Sequence, residues 1–223
     1  MKDHQDRCQR CGTCCRNGPP GLHEDDKPLY DGGRLGKADL LTLRAGEWVY
    51  DNIEARRRIL PEEMVRLRTK PGESSCLFFN SRQNSCEMYE HRPRECRVLS
   101  CRDTTAIRSV YQQDRLNRRH LIPEESALFA IVSLHEEHCA YERVRVLAEA
   151  IIAKGKPNAQ EVAELADIVQ HDRQMRTAFQ EKTGVPDPVL EFLFGRALLK
   201  TLPGFGLEIR ETADGYRFLH REV

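Results

Sequence analysis

The chain has 223 residues, enough to bury a proper core without help from a metal, and its Lys plus Arg total of 35 equals its Asp plus Glu total, so global charge selects neither nucleic acid nor a membrane as partner. The first residues, Met1 to Arg7, are polar and charged, and no apolar run approaches the roughly 18 residues of a membrane span. A cytoplasmic protein is expected, and in that reducing compartment nine cysteines, an odd number, argue against a disulfide framework and for metal coordination.

Four of those cysteines, Cys8, Cys11, Cys14 and Cys15, are spaced C-x-x-C-x-x-C-C. A core uses isolated cysteines as small apolar fillers, whereas two-residue spacing lets one backbone turn aim several sulfurs at a single centre. From Asn17 to Lys37 the density of Gly and Pro precludes regular structure, and a loop is expected. Asp39 to Ile59, apolar but interrupted at Gly46, suggests short helices and a turn. Met64, Val65 and Leu67 among basic residues read as a strand leading to Pro71-Gly72.

The second cysteine segment runs from Cys76 to Cys101. Cys76 to Phe79 and Cys86 to Tyr89 read as strands of a hairpin that sets Cys76 beside Cys86, and Pro93 bends the chain before Cys96 and Cys101. Helix follows from Asp103. A strong apolar stripe covers Ala127 to Ala153, with Pro123 in its first turn; Asn158 and Glu161 resemble a capping box for a helix closed by Gly184; Asp187-Pro188 opens a helix ended by Pro203-Gly204. Leu207 to Glu211 and Tyr216 to His220, around Asp214-Gly215, read as a terminal hairpin.

Four thiolates close a tetrahedral zinc site or hold an iron-sulfur cluster, and eight suffice for two sites or one polynuclear centre. Cys8, Cys11, Cys14, Cys15, Cys76, Cys86, Cys96 and Cys101 supply eight, and the 60 residues between Cys15 and Cys76 cost little more to close than a shorter loop. Adjacent side chains such as Cys14 and Cys15 usually diverge, so more than one metal atom is expected. Between Arg92 and Arg119, eight arginines face three acids. They offer either a solvated helix face or countercharge and hydrogen bonds for a net negative metal-thiolate centre. The ligand type does not separate zinc from iron; the compact first run favours an iron-sulfur cluster of the 4Fe-4S type, with zinc as the alternative.

His135-Glu136-Glu137-His138-Cys139 lacks the four-residue His spacing of a zinc protease; His138 and Cys139 could add ligands, but Cys139 reads better as a buried thiol at a helix end. Arg44 and Glu47 read as a turn with a surface ion pair. Basic residues interleaved with aromatics, as on a nucleic-acid groove, are absent, and an unidentified protein or small molecule is the expected partner.

Cys8-x-x-Cys11-Gly12-x-Cys14-Cys15-Arg16, Cys76-Leu77-Phe78 and Cys86-x-Met88-Tyr89-Glu90-x-Arg92-Pro93-x-x-Cys96-Arg97, with Cys101 behind them, resemble the YkgJ-type cysteine cluster family over about the first 100 residues. Its bacterial and archaeal members are described as zinc- or iron-chelating proteins. Leu43 to Glu47 and His135 to Cys139 are similar to longer members. A related cysteine arrangement occurs in flagellin lysine N-methylases, and that resemblance implies an iron-sulfur cluster used in methyl transfer. The expected architecture is mainly α: a cysteine-rich metal module over residues 1-103, built from 1-35 and 71-103 with a short helical insertion, and a helical region with a terminal hairpin over 104-223, packed as one domain.

Overall fold

In the computed structural model, which describes residues 8, 10–100, 103–153, 158–212 and 215–220, the elements in chain order are α1 (Thr13–Arg16), α2 (Lys27–Asp31), β1 (Leu40–Leu43), β2 (Trp48–Asp51), β3 (Arg56–Ile59), β4 (Met64–Leu67), β5 (Phe79–Asn80) and β6 (Ser85–Cys86). Helices follow: α3 (Arg94–Val98), α4 (Thr105–Val110), α5 (Arg118–Leu121), α6 (Ala127–His138), α7 (Tyr141–Ala153), α8 (Ala159–Thr183), α9 (Asp187–Phe194) and α10 (Leu198–Thr201), and the hairpin β7 (Leu207–Thr212) and β8 (Gly215–His220) closes the chain. Helix dominates, and every sheet among the described residues is two-stranded. The fold is mainly α with small hairpins, as the sequence implies. Among the described residues no helix is long and apolar enough to cross a membrane.

The chain forms two units, Met1–Thr42 with Met64–Leu121, and Leu43–Glu63 with Ile122–Val223. The first is knitted around β4. Leu22 N donates to Val65 O (2.9 Å), Val65 N to Leu116 O (2.7 Å) and Leu116 N back to Leu22 O (2.9 Å), so three distant segments share one ladder. Leu22, Leu40, Val65, Leu67, Ile107 and Leu116 are buried around it. The Asn17 to Lys37 stretch is not wholly irregular, because Pro28 sits in the first turn of α2, where its missing N–H costs nothing.

Asp39 to Ile59 is corrected from helix to strands. The Asp51 carboxylate accepts from Ile53 N (2.9 Å) and Glu54 N (3.0 Å), an Asx turn, and Ala55 takes a positive φ of 52°. That turn chemistry returns the chain as β3 with Tyr50 opposite Arg57. The second cysteine hairpin forms, but in another register: Phe79 pairs with Cys86 and Asn80 with Ser85, while Cys76 bridges to Thr69.

In the second unit the Ala127 to Ala153 stripe is two helices, broken at Cys139-Ala140. Its cap is Ser126, whose hydroxyl accepts from Phe129 N (3.1 Å), and not Pro123. Asn158 caps α8 as expected, accepting from Gln160 N, and Gly184 ends it at φ 69°. α9 ends at Gly195, φ 70°, short of Pro203. Val144, Leu147, Ile151, Leu165, Val169 and Leu198 form the core on which the terminal hairpin packs through Leu207 and Phe218. That hairpin forms as expected, with Glu208 opposite Leu219; Asp214 of its turn lies outside the described residues.

Candidate metal centre

Gly12 starts the first thiol turn. At φ 76° it caps α1, and a Cβ there would lie 2.5 Å from Asn84 Oδ1 and 2.6 Å from Phe79 Cζ, so the close approach of the β5–β6 hairpin requires glycine. Asn84 locks the approach, donating to Arg10 O (2.8 Å) and accepting from Arg16 Nη2 (2.8 Å). Arg16 also donates to Cys11 O (3.1 Å) and lies over the Phe79 ring. On the other side Cys76 N donates to Cys15 O (2.7 Å) and Ser74 Oγ to Arg16 O (2.8 Å). The two cysteine segments are therefore joined through the main chain.

Cys96 is held by its neighbours in α3. The Glu95 carboxylate accepts from Gly21 N (2.9 Å) and faces the buried His23 ring at 3.2 Å, and Arg94 N donates to the buried Asp26 (2.7 Å). Gly18 to Asp26 thus acts as a brace under the helix that carries the thiol.

The eight described cysteines are free: Cys8, Cys11, Cys14, Cys15, Cys76, Cys86, Cys96 and Cys139. Electrostatics links Cys8, Cys14, Cys15, Cys76, Cys86 and Cys96. The Cys15 thiol donates to the Cys14 sulfur, which lowers Cys14 to about 6 and pushes Cys15 upward. Burial raises Cys96 well above the usual thiol range, and the charges of Cys76, Cys14, Glu95 and Cys86 add to it. Burial likewise raises Cys76, with Cys86 and Cys14 adding, and Cys86, with Cys8 and Cys14 adding. The adjacent Cys14 and Cys15 side chains do not diverge, since the Cys15 thiol reaches the Cys14 sulfur. Cys11 is exposed, its Sγ donating to Thr13 Oγ1 (3.5 Å), and Cys101 lies outside the described residues.

The arginines divide. Arg92 favours the thiolates of Cys14 and Cys86 by its charge, and its guanidinium and that of Arg10 both lie on the Tyr89 ring, 3.8 and 3.9 Å from its centroid. Arg94 instead pairs with Asp25 and Asp114, Arg97 with Asp26, and Arg118 is buried. Arg102 lies outside the described residues.

Residues 7–120, just over half the chain, match the model of the CxxCxxCC family, described as "Putative zinc- or iron-chelating domain". The chain belongs to the CxxCxxCC family. Family membership makes it a metal-binding cysteine cluster protein. No curated protein and no solved structure matches it.

Beyond the family match, the second unit holds a polar centre that sequence reading misplaced. Arg44 and Glu47 are not a surface pair; both are fully buried. Arg44 donates through Nη2 to Cys139 O (2.7 Å), pairs through Nε with Glu136 (2.6 Å) and lies 4.7 Å from the Tyr141 ring centroid. Glu47 accepts from Arg44 N (3.0 Å) and from Arg196 Nε (2.5 Å), while burial pushes its carboxyl up. The turn between them needs Gly46, at φ 83° with Tyr141 Cβ 2.7 Å from where a Cβ would stand. A glycine between two charges, with Leu43 before them and Trp48 after, is the signal the sequence offers.

Deeper in the same unit, His135 Nε2 meets Asp172 Oδ1 at 2.7 Å, and Asp172 also accepts from Arg176 Nε (2.8 Å) and Leu198 N (3.0 Å). Burial lowers His135; it opposes the lowering of Asp172, but the His135 hydrogen bond and Arg176 win. Cys139 is the buried thiol expected at the end of α6, pushed up to about 12 by burial. His138 is exposed and stacks on His171 at 4.5 Å.

Proposed function

We propose that the chain is an iron-sulfur protein, with a centre of the 4Fe-4S type held by thiolates drawn from Cys8, Cys11, Cys14, Cys15, Cys76, Cys86, Cys96 and Cys101, acting in the cytoplasm on a protein or small-molecule partner. One feature supports this reading: the electrostatics of the fold links six thiols from two chain segments, Cys14 and Cys15 among them, and a tetrahedral zinc uses only four. Thiolate ligation around such a centre leaves net negative charge, and Arg92 is the guanidinium that already favours the charged form of two of these sulfurs. Zinc is the competing occupant of the same sulfurs.

Anaerobic purification, metal and acid-labile sulfide analysis and a visible spectrum test the reading. A brown protein with iron and sulfide is expected, losing both in Cys14→Ser and in Cys15→Ser. A colourless chain that holds zinc, without iron or sulfide, overturns it.

A further inference from the structure

The thiol cluster leaves one buried donor group of the second unit without a use. One donor atom from each of His135, Cys139 and Asp172 lies within 4.8 Å of the others, and all three residues are buried. His135 and Cys139 stand four apart at the end of α6, so helical periodicity stacks them on one face. Asp172 comes from α8.

The hydrogen bonds set the chemistry of the imidazole. Asp172 Oδ1 accepts, so His135 Nε2, 2.7 Å away, carries the ring proton. Nδ1 then presents a lone pair, and it is a buried atom with no hydrogen-bond partner. Leaving a buried polar atom unsatisfied costs about 1–3 kcal/mol, so an orphan of this kind calls for an explanation. The Cys139 thiol is scarcely better served, its one weak contact being Ile168 O at 3.8 Å. A histidine whose far nitrogen donates to a carboxylate, itself fixed by an arginine and a main-chain N–H, is how proteins orient an imidazole toward a metal.

We propose that His135 Nδ1 and Cys139 Sγ bind a single divalent metal of the zinc class, with Asp172 orienting the imidazole, at a site in the second unit independent of the thiol cluster. Imidazole and thiolate suit zinc and supply two of its four positions, the others being left to water or a further ligand that enters with the ion. On binding, the Cys139 S–H bond breaks, its electron pair passes to the metal and its proton is released to solvent, while His135 keeps its Nε2 proton. The ion and the thiolate together bring one net positive charge; the carboxylates of Asp172 and Glu136 that act on Cys139 offset it, against the guanidinium groups of Arg44 and Arg176.

The test is zinc X-ray absorption and metal content of the full-length chain after zinc loading and dialysis, for the wild type, His135→Asn and Cys139→Ser. Expected are an imidazole contribution in the wild-type spectrum and the loss of a single zinc equivalent in each variant, with the sulfur-rich signal or the visible colour of the thiol cluster unchanged. A wild-type zinc shell without imidazole overturns the proposal whether or not the variants fold, as does unchanged zinc content and spectrum in both variants. Failure of the iron-sulfur reading leaves the imidazole signal in place, so the two outcomes separate.

Discussion

Replacing Arg44 by methionine removes the most connected buried cation of the second unit while keeping much of its volume. A charge-assisted hydrogen bond to Cys139 O is worth about 1.5–3 kcal/mol and the contact with the Tyr141 ring about 0.5–2 kcal/mol. Glu136 is 34% exposed, so its ion pair adds no more than about 1 kcal/mol. Against this, Arg44 Nη1 is buried without a hydrogen-bond partner, and removing it returns about 1–3 kcal/mol. At mid-range these terms leave a net loss of about 2 kcal/mol, which at a urea dependence of roughly 2 kcal/mol/M lowers the unfolding midpoint by about 1 M. Trp48 is the one tryptophan of the chain and packs against the core of the second unit. Its fluorescence therefore reads this transition, while iron and acid-labile sulfide content reads the thiol cluster. Arg44→Lys keeps the charge but lacks the planar fork that serves Cys139 O and Glu136 together, and should recover less than half of the loss. A midpoint within about 0.3 M of wild type in Arg44→Met would refute the assigned role, since that is under a third of the expected shift.

Two further outcomes follow from the titrating groups. In the metal-free chain, alkylation of Cys14 should reach half its maximal rate near pH 6, because the Cys15 thiol donates to its sulfur, and Cys15→Ala should return it toward the ordinary thiol value of about 8.5; an unshifted profile rejects the shared proton. The second unit should lose stability on acidification. His135 is held below its ordinary value, so below about pH 6.5 the unfolded state takes up a proton that the folded state refuses, and its contribution, complete above that pH, fades as pH falls. Asp172, also held down, adds a second loss at lower pH, beginning below about 3.9. Urea midpoints of chelator-treated protein between pH 7.5 and pH 5 should fall in the wild type and much less in His135→Gln; equal slopes would exclude His135 as the source.

Local chemistry was legible in the sequence and long-range pairing was not. Asn158 and Gly184 bracket α8 because a cap and a left-handed stop are written into one residue each. β4 and the terminal hairpin follow from short apolar patterns. β2 and β3 were missed because their signal is the Asp51 side chain bonding its own turn, which an apolar periodicity does not register. The Cys76 to Cys86 hairpin was found but its register was not, since Cys76 N is taken by Cys15 O from the first segment. Burial of Glu47 depends on Arg196, and the orphaned His135 Nδ1 on Asp172 drawing the other side of the ring. Partners so far apart along the chain leave no periodicity to read.

The bond from Cys76 N to Cys15 O, with Asn84 clasping Arg10 and Arg16, bears on how a metal arrives and leaves. In a small zinc finger the ion is the fastener, and removing it unfolds the chain. Here peptide groups and one amide side chain fasten the two thiol-bearing segments without a metal. Chelation should therefore strip the ion and leave the segments joined, so that reloading needs no refolding.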